Sequence, residues 1–335
     1  MKKIIWWISI VLIGIGGTAS GVMGQTVHVY SARIEKMIKP AFDAFTRKTG
    51  IEVKYLTADE AELIERLKAE GKQTSADVLL TVDAGNLWLA KKEGVLQSVE
   101  SWTIFSQIPP HLRDPEGFWF GLTLRARTIV YSKERVNPSL LSTYEDLGNP
   151  RWKNKLCLRT SKKVYNKSMV ATMIKSKGED FARQTVEGWM ANQPVIHAKD
   201  SDVLKAIAAG QCDVGLVNTY YLGNELLANP EFPVGLFWAN QQTTGTHVNI
   251  SGAGITKYAK NRADAIKLIE FLSSAEAQNL FADDNLEYPA NQNVSASPRL
   301  SQWWGSQFRQ DSVNISAAGE YQAQAVQLMT RAGYK

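Results

Sequence analysis

Along the first hundred residues, stretches in which every second position is apolar alternate with stretches in which apolar residues have helical spacing. Residues 26–32 alternate with a period of two, which is typical of a half-buried β-strand. The stretch that follows is apolar at helical spacing, at Ile34, Met37, Ile38, Ala41, Phe42 and Phe45. Gly50 closes this helix after basic residues, and the strand–helix order recurs at 51–73 and at 76–96. This order predicts an α/β fold in which helices cover a parallel sheet.

The rest of the chain predicts a second α/β unit. A strand at 124–134 leads into another strand–helix set, and a long strand at 248–259 returns. We therefore predict two α/β domains joined by crossover hinge strands near 123–128 and 247–252. The predicted first domain comprises residues 25–124 and 250–297, and the second comprises residues 125–249 and 298–335. A cleft between two such domains is a preferred ligand site.

The N-terminus carries the pattern of a secretory signal peptide. Lys2 and Lys3 precede an apolar run at residues 4–15, and small residues follow up to Gly24. We predict export with cleavage after Gly24, so that residues 1–24 form the signal peptide. Retention of this segment as an uncleaved anchor is the alternative.

The chain contains two cysteines, Cys157 and Cys212, and their predicted state depends on whether the protein is exported. Exported proteins fold in an oxidising environment, so an isolated pair predicts a disulfide rather than a metal site. The spacing of the pair matches no zinc motif. Two buried free thiols are the alternative.

Charge and motifs argue against nucleic acid as a partner and against catalysis. The net charge of +5 falls to +3 when Lys2 and Lys3 leave with the signal peptide, and no basic run carries interleaved aromatic residues. The chain contains no nucleophile elbow, no Walker A motif and no dinucleotide-binding fingerprint. Its four histidines show no metal-ligand spacing. We predict a protein that is not an enzyme.

Two adjacent tyrosines, Tyr220 and Tyr221, follow an apolar run at 214–217 that predicts a buried strand. They stand where the strand ends, at the edge where open α/β sheets bind ligands. A phenolate oxygen is a hard anionic donor suited to Fe³⁺, and a bound cation removes the proton of a phenol whose free pKa is roughly 10. Both phenols reach one ion only if the backbone turns after the strand. The alternative places one ring in the core and the other on the surface.

Motifs spread over residues 25–335 resemble those of one protein family. They read VHVYSAR at 27–33, PAFDAFTRKTGIEV at 40–53, SADVLLTVDAGNL at 75–87, GLTLRARTIVYSK at 121–133, NPRWKNKLCLRTSKKVYNKSMVA at 149–171, AAGQCDVGLVNTYY at 208–221, GTHVNISGAGI at 245–255 and LEYPANQNV at 286–294. In motif and spacing the chain resembles the periplasmic ferric-iron-binding proteins of bacterial ABC importers, the bacterial transferrins. The resemblance implies a class II two-domain solute-binding fold, a periplasmic location, and a monomer that delivers Fe³⁺ to an inner-membrane permease.

The resemblance also implies roles for particular residues. Tyr220 and Tyr221 match the tandem iron ligands, and Tyr165 in KKVYNKS matches a third phenolate ligand found in one branch of the family. Arg125, the first arginine of RAR, matches the residue that holds a synergistic anion such as carbonate. Asn218 and the turn at Thr219 are expected to orient both phenols toward one ion. Packing of Tyr165 against its own domain and an interdomain ion pair at Arg125 are the alternative roles.

The first domain departs from the family pattern. Ile34 and Glu35 occupy positions where family members place a histidine or a histidine–tyrosine pair, and Val82, beside Asp83, occupies the position of a glutamate ligand. We therefore predict three tyrosine ligands from the second domain, with anion or water in the other positions. Glu35 or Asp83 as a carboxylate ligand is a further hypothesis, against a solvated surface role for each.

Two other functions are compatible with the sequence. The same scaffold serves other ligands, such as a polyamine, a phosphate ester or thiamine, and fold alone does not identify the ligand. An exported hydrolase or transferase using Tyr220 or Asp83 is the third hypothesis, which the lack of a nucleophile–base pair disfavours. Three phenols around one point distinguish a ferric site from an organic-cation site, which needs aromatic boxes and carboxylates.

Overall fold

The structure of the protein, a computed structural model, describes residues 25–335, without the side chains of residues 282–284. The predicted signal peptide, residues 1–24, lies outside the described residues. The strands are β1 (Thr26–Ser31), β2 (Glu52–Thr57), β3 (Val78–Val82), β4 (Leu96–Gln97), β5 (Phe120–Ser132), β6 (Leu156–Arg159), β7 (Val195–His197), β8 (Val214–Asn218), β9 (Val234–Phe237), β10 (Val248–Thr256) and β11 (Tyr288–Pro289). The α-helices are α1 (Glu35–Thr49), α2 (Glu60–Glu70), α3 (Ala84–Lys92), α4 (Trp102–Gln107), α5 (Val164–Lys177), α6 (Glu179–Ala191), α7 (Asp200–Ala208), α8 (Thr219–Ala228), α9 (Arg262–Ser273), α10 (Ala275–Asn285), α11 (Pro298–Trp304), α12 (Ala317–Glu320) and α13 (Gln322–Arg331). No helix in this described part of the chain is long and apolar enough to cross a membrane.

The strand–helix order predicted for the first hundred residues is confirmed. β1, β2 and β3 alternate with α1, α2 and α3, and Gly50 ends α1 in a left-handed conformation with φ 74°. The third helix is shorter than predicted, because α3 ends at Lys92 and Leu96 instead begins β4, opposite Thr256 of β10. The pairing of Leu96 with β10 therefore ends the helix earlier than the spacing of its apolar residues predicts.

The strands form one mixed sheet, in the order β2-β1-β3-β10-β5-β8-β6-β7. β1 pairs in parallel with β2 and β3, and β6 pairs in parallel with β7 and β8, as the strand–helix order predicts. β5 and β10 are antiparallel to each other and to their neighbours β8 and β3. These two strands are the predicted crossover strands, and they run antiparallel because they carry the chain from one half of the molecule to the other and back.

β5 is the strand that joins the two halves. Its residues 120–126 lie beside β10, and its residues 127–131 pair with β8. The strand is buried along nearly its whole length, as a strand covered on both faces must be. Arg125 therefore lies close to the point where β5 passes from one set of partners to the other.

Buried apolar side chains form separate cores on the two sides of this junction. The first core contains residues of β1, β3, α1 and α9, and the second side contains residues of β6, β8, α5 and α7. Residues 298–335 divide between them: Leu300 and Ile315 pack in the first core, whereas Leu328 and Tyr334 pack on the second side. The C-terminal segment therefore contacts both halves, and the domain boundaries given above stay a prediction.

Candidate metal centre

Tyr220 and Tyr221 lie in the first turn of α8, directly after β8. All five residues of β8 are buried, and α8 begins at Thr219. The change from strand to helix turns the backbone, so the two side chains do not point to opposite faces as they would in a strand. Their ring centroids are 4.4 Å apart, and both side chains are half-buried. The arrangement with one ring in the core and one on the surface is therefore not the one adopted.

Tyr165 joins this pair from a different helix. It is the second residue of α5, and its Oη accepts a hydrogen bond from Tyr220 Oη at 3.3 Å. Like the tandem pair, Tyr165 is half-buried. The phenols thus lie at the N-termini of α5 and α8, where the helix dipole favours negative charge. The structure brings the three predicted tyrosines together, at a place suited to phenolates.

Guanidinium groups lie around the phenols. Arg159 Nη1 is 3.5 Å from Tyr221 Oη, and the guanidinium carbon of Arg159 is 5.0 Å from the centre of the Tyr165 ring. The guanidinium carbon of Arg125 is 5.9 Å from the same ring centre. Sequence reasoning missed Arg159. Its place at the carboxyl end of β6, beside the carboxyl end of β8, is the signal that identifies it as a site residue.

Burial raises the pKa of the Tyr220 phenol well above its usual range, and the neighbouring Tyr165 and Tyr221 add to this effect. Arg125 acts in the opposite direction. Without a bound cation, Tyr220 therefore keeps its proton at neutral pH. A bound metal cation stabilises the phenolate and so displaces that proton.

Arg125 is fully buried and has an unused hydrogen-bond donor. Its Nη1 donates to Ser251 Oγ at 3.1 Å, whereas its Nη2 has no partner among the described residues. A buried donor without a partner is costly, and an oxyanion is the group that best satisfies a guanidinium. Arg125 therefore suits the anion-binding role, which stays a prediction.

A buried polar network supports the phenols. Asn218 Nδ2 lies 3.5 Å from Tyr220 Oη, and Asn218 Oδ1 accepts from Arg127 Nη1 at 3.1 Å. Arg127 and Arg159 each pair with the buried carboxylate of Asp200 at 3.0 Å. Asn218 is thus placed where it can orient Tyr220, as the sequence suggests. Arg127 and Asp200 were not predicted, because nothing in their local sequence indicates that they meet.

The two candidate carboxylates of the first domain have other partners. Glu35 Oε1 accepts a hydrogen bond from Tyr55 Oη at 2.8 Å on the surface. Asp83 is fully buried, so the surface role considered for it is wrong, and its carboxylate accepts from Ser168 Oγ at 2.9 Å and from Asn249 Nδ2 at 2.8 Å. Among the described residues, no group of three or more His, Cys, Asp or Glu side chains is arranged to hold a metal. The donors that the structure brings together are the tyrosines.

A disulfide joins the two strands that lead to the site. Cys157 of β6 bonds to Cys212, which precedes β8, with an S–S distance of 1.95 Å and a Cα–Cα distance of 5.9 Å. Neither cysteine of the described residues is a free thiol. The bridge therefore holds together the parallel neighbours whose carboxyl ends carry Arg159 and Tyr220.

Comparison with known proteins identifies the family. Residues 73–308 match the family described as bacterial extracellular solute-binding protein. The chain belongs to this family. Its members are transport proteins that bind solutes, which agrees with the resemblance found in the sequence.

The curated relatives match nearly the whole chain. Iron uptake protein A2 of Synechocystis sp. is 40% identical over 322 residues, which cover 93% of this chain and 90% of that protein. Iron uptake protein A1 of the same organism is 38% identical over 322 residues, which cover 93% of this chain and 88% of that protein.

Solved structures confirm the fold. The Trichodesmium protein IdiA (FutA), in complex with iron and citrate, is 42% identical with a TM-score of 0.88, and the match covers 92% of this chain and 100% of that one. Ferric iron-binding protein A of Mannheimia haemolytica, in an open conformation, is 34% identical with a TM-score of 0.85, and the match covers 92% and 99% of the two chains. The predicted class II two-domain solute-binding fold is therefore confirmed.

Proposed function

We propose that this protein binds ferric iron in the periplasm and delivers it to an ABC import permease. The observation that carries the proposal is the convergence of Tyr165, Tyr220 and Tyr221. The first two hydroxyl oxygens are 3.3 Å apart, and the rings of the tandem pair are 4.4 Å apart. Relatives named as iron uptake proteins support the proposal, as does the solved relative that holds iron and citrate.

The charge of the donor set suits Fe³⁺. Three phenolates balance the three positive charges of the ion, and anionic oxygen donors favour hard cations over softer metals. Because the phenols must lose their protons to bind, iron uptake releases protons. The resulting neutral assembly needs no additional carboxylate from the first domain.

An anion completes the coordination. Three tyrosine oxygens leave positions of the ion unfilled, and the family resemblance predicts ligands where this chain has Ile34 and Glu35. The unpartnered Nη2 of Arg125 and the guanidinium of Arg159 supply positive charge for an oxyanion. Carbonate is the simplest candidate. Citrate, which accompanies iron in the Trichodesmium relative, is a second anion to test.

The same proposal covers transport. The protein acts as an exported monomer from which residues 1–24 are removed as a signal peptide. β5 and β10 connect the two halves, so they serve as the hinge about which the domains close over the ion. Its partners are ferric iron and an inner-membrane permease, without nucleic acid and without a catalytic substrate.

Titration of the apo protein with ferric iron tests the proposal. Fe³⁺ added as its soluble nitrilotriacetate chelate is expected to produce a visible phenolate-to-iron charge-transfer band at neutral pH. Tyr258, an exposed tyrosine outside the cluster, provides the matched control, since Tyr258→Phe is expected to keep the band. A colourless wild-type protein would refute ferric binding. Titration calorimetry with a polyamine, a phosphate ester and thiamine would then identify the ligand class.

Exchange of the anion tests Arg125. Replacing carbonate by citrate or phosphate is expected to shift the charge-transfer band of the wild-type complex, because the anion occupies part of the coordination sphere. In Arg125→Ala the anion is held weakly, so the band is expected to be insensitive to the exchange. Equal shifts in both proteins would show that Arg125 does not hold the anion.

A further inference from the structure

Asp83 is a buried residue whose surroundings the proposed iron site leaves unexplained. It caps α3 from a backbone conformation with φ 74°, in the left-handed region that favours glycine. Such strain persists only where the surrounding structure stabilises it, and it concentrates at functional positions. Glycine would relieve this strain and lose only the side chain. The presence of aspartate therefore indicates that the carboxylate itself is needed.

The Asp83 carboxylate accepts hydrogen bonds from three separate segments. Oδ1 accepts from the Gly85 N–H at 2.8 Å, Oδ2 accepts from Asn249 Nδ2 at 2.8 Å, and both oxygens lie 2.9 Å from Ser168 Oγ. These donors belong to α3, to β10 and to α5. One buried carboxylate thus connects a helix of the first domain, a hinge strand and a helix of the second domain.

Two of these contacts lead directly to the candidate iron site. Ser168 follows Tyr165 by three positions in α5, so the two side chains lie on the same face of that helix. Asn249 stands opposite Arg125 in the register of β10 and β5. Asp83 therefore holds Ser168, which lies one helical turn from Tyr165. It also holds Asn249, which lies opposite Arg125 in the sheet.

Close packing fixes the helix that Asp83 caps. A Cβ atom on Gly85 would lie 3.3 Å from the carbonyl oxygen of Ala318 in α12, and a Cβ atom on Gly319 of α12 would lie 2.7 Å from Trp88 Cβ. α3 and α12 therefore approach each other as closely as glycine allows. α12 also packs against α5, so Asp83 and Ser168 meet beside a tightly packed junction between the two halves.

We infer that Asp83 is a positioning residue rather than an iron ligand, and that it holds Tyr165 at the iron site through Ser168. This inference rests on the proposed ferric function. The first domain then contributes to iron binding by fixing the helix that carries the third phenol. Loss of the contact is expected to leave Tyr220 and Tyr221 in place and to loosen Tyr165.

Ser168→Ala tests the inference with little disturbance, because the cap of α3 and the Asn249 contact remain. Its ferric complex is expected to stay coloured, with a charge-transfer band displaced toward that of Tyr165→Phe. Iron release to EDTA is expected to be about tenfold faster, in keeping with the loss of a hydrogen bond to a charged group. Asp83→Asn is expected to act in the same direction.

A double variant separates this contact from general weakening. Asp83→Gly removes the group that accepts from Ser168, so Ser168→Ala combined with Asp83→Gly is expected to release iron no faster than Asp83→Gly alone. Two matched controls accompany it. Ser176 lies further along α5 and donates to the carbonyl of Met173 in its own helix, and Asp59 caps α2 by accepting from the Ala61 N–H. Ser176→Ala and Asp59→Ala are expected to keep the wild-type band and release rate.

Each outcome decides a separate point. A wild-type band and release rate in Ser168→Ala would overturn the inference, and so would fully additive effects in the double variant. A wild-type protein without a ferric band would refute the proposed function instead. If Asp83→Asn or Asp83→Gly fails to fold, Ser168→Ala still decides, because an unchanged melting temperature shows that its fold is intact.

Discussion

The two sides of the candidate site use their polar side chains in opposite ways. On the side of the second predicted domain, the phenols make long contacts: 3.3 Å between Tyr220 and Tyr165, and 3.5 Å between Tyr221 and Arg159. Hydrogen bonds of this length are weak. The phenol oxygens therefore give up little when an ion binds them.

On the first-domain side the polar groups are already engaged at short distances. Glu35 accepts from Tyr55 at 2.8 Å, and the buried guanidinium of Arg33 pairs with Glu287 at 2.7 Å. Asp83 accepts several hydrogen bonds of 2.8 to 2.9 Å. A metal that recruited Asp83 or Glu287 would leave a buried donor unpaired, which is costly.

This difference shows that the candidate site is defined by oxygen atoms that are free of strong hydrogen bonds and can therefore bind an ion. The presence of oxygen atoms alone is not enough. Carboxylates are common in this chain, yet Glu35, Asp83 and Glu287 on the first-domain side already have hydrogen-bond or ion-pair partners. The tyrosines are held by the backbone turns of α5 and α8 while their oxygens remain weakly bonded. We therefore expect the second domain to supply the ligands and the first domain to support them.

Removal of both tandem phenols is expected to cause the largest loss of ferric affinity. In Tyr220→Phe/Tyr221→Phe, two of three anionic donors are lost, so ferric affinity is expected to fall by more than about a thousandfold, given that changes outside the ligand shell already cost about 10–100-fold. Competition with nitrilotriacetate and the visible band measure the loss. Tyr258→Phe is the control, and a double variant that keeps its colour would show that the tandem pair does not bind iron.

Lowering the pH is expected to have the next largest effect. Because burial raises the pKa of Tyr220, the apo phenol is protonated, and iron binding releases its proton. For each proton released on binding, the ferric affinity falls about tenfold when the pH is lowered by one unit. A change from about pH 7.5 to about 5.5 is therefore expected to lower the affinity about a hundredfold or more. His247 near the hinge does not titrate in this range, since burial lowers its pKa to about 3. Affinities that do not vary with pH would contradict phenolate binding.

Tyr165→Phe is expected to have a smaller effect than the tandem change. Two phenolates and the anion remain, so the protein is expected to stay coloured, with a shifted band and an affinity about 10–100-fold lower. Spectral titration beside the wild-type protein measures both changes. An unchanged spectrum would remove Tyr165 from the ligand set and leave it as a packing residue.

Glu35→Gln is expected to have the smallest effect. Its carboxylate accepts from Tyr55 on the surface, so affinity is expected to change less than about twofold, as for most surface substitutions. Tyr55→Phe, which removes the same hydrogen bond, is the matched control. A loss well above tenfold in Glu35→Gln alone would mean that the first domain donates a ligand after all, and the difference between the two sides would not hold.

The parts predicted correctly from the sequence rest on local patterns. The apolar run before Asn218 predicts a buried strand, and the tandem tyrosines follow it at the edge where such sheets bind ligands. The alternation of β1, β2 and β3 with their helices also follows from residues a few positions apart. The antiparallel pairing of β5 with β10 was missed, because strand direction depends on partners more than a hundred residues away.

The supporting residues were beyond prediction for the same reason. Arg159 reads as an ordinary basic residue until β6 is placed beside β8. Asp200 reads as an acidic residue of the first turn of α7, yet it is buried between two guanidinium groups. Asp83 was proposed as a ligand from its place after β3, and only its contact with Ser168 leads us to infer a positioning role instead.

By itself the sequence determined the order of strands and helices and the position of Tyr220 and Tyr221 at a strand end, since both follow from neighbouring residues. The family resemblance already predicted that Tyr165 joins the pair, but only the tertiary structure placed its hydroxyl, 55 positions from that of Tyr220, within 3.3 Å. Only the tertiary structure decided that Asp83 contacts Ser168, 85 positions away. Contacts over such separations depend on how the sheet and its helices pack. Periodicity and spacing carry no record of that packing, so the choice of which polar groups stay free for a ligand is made in three dimensions.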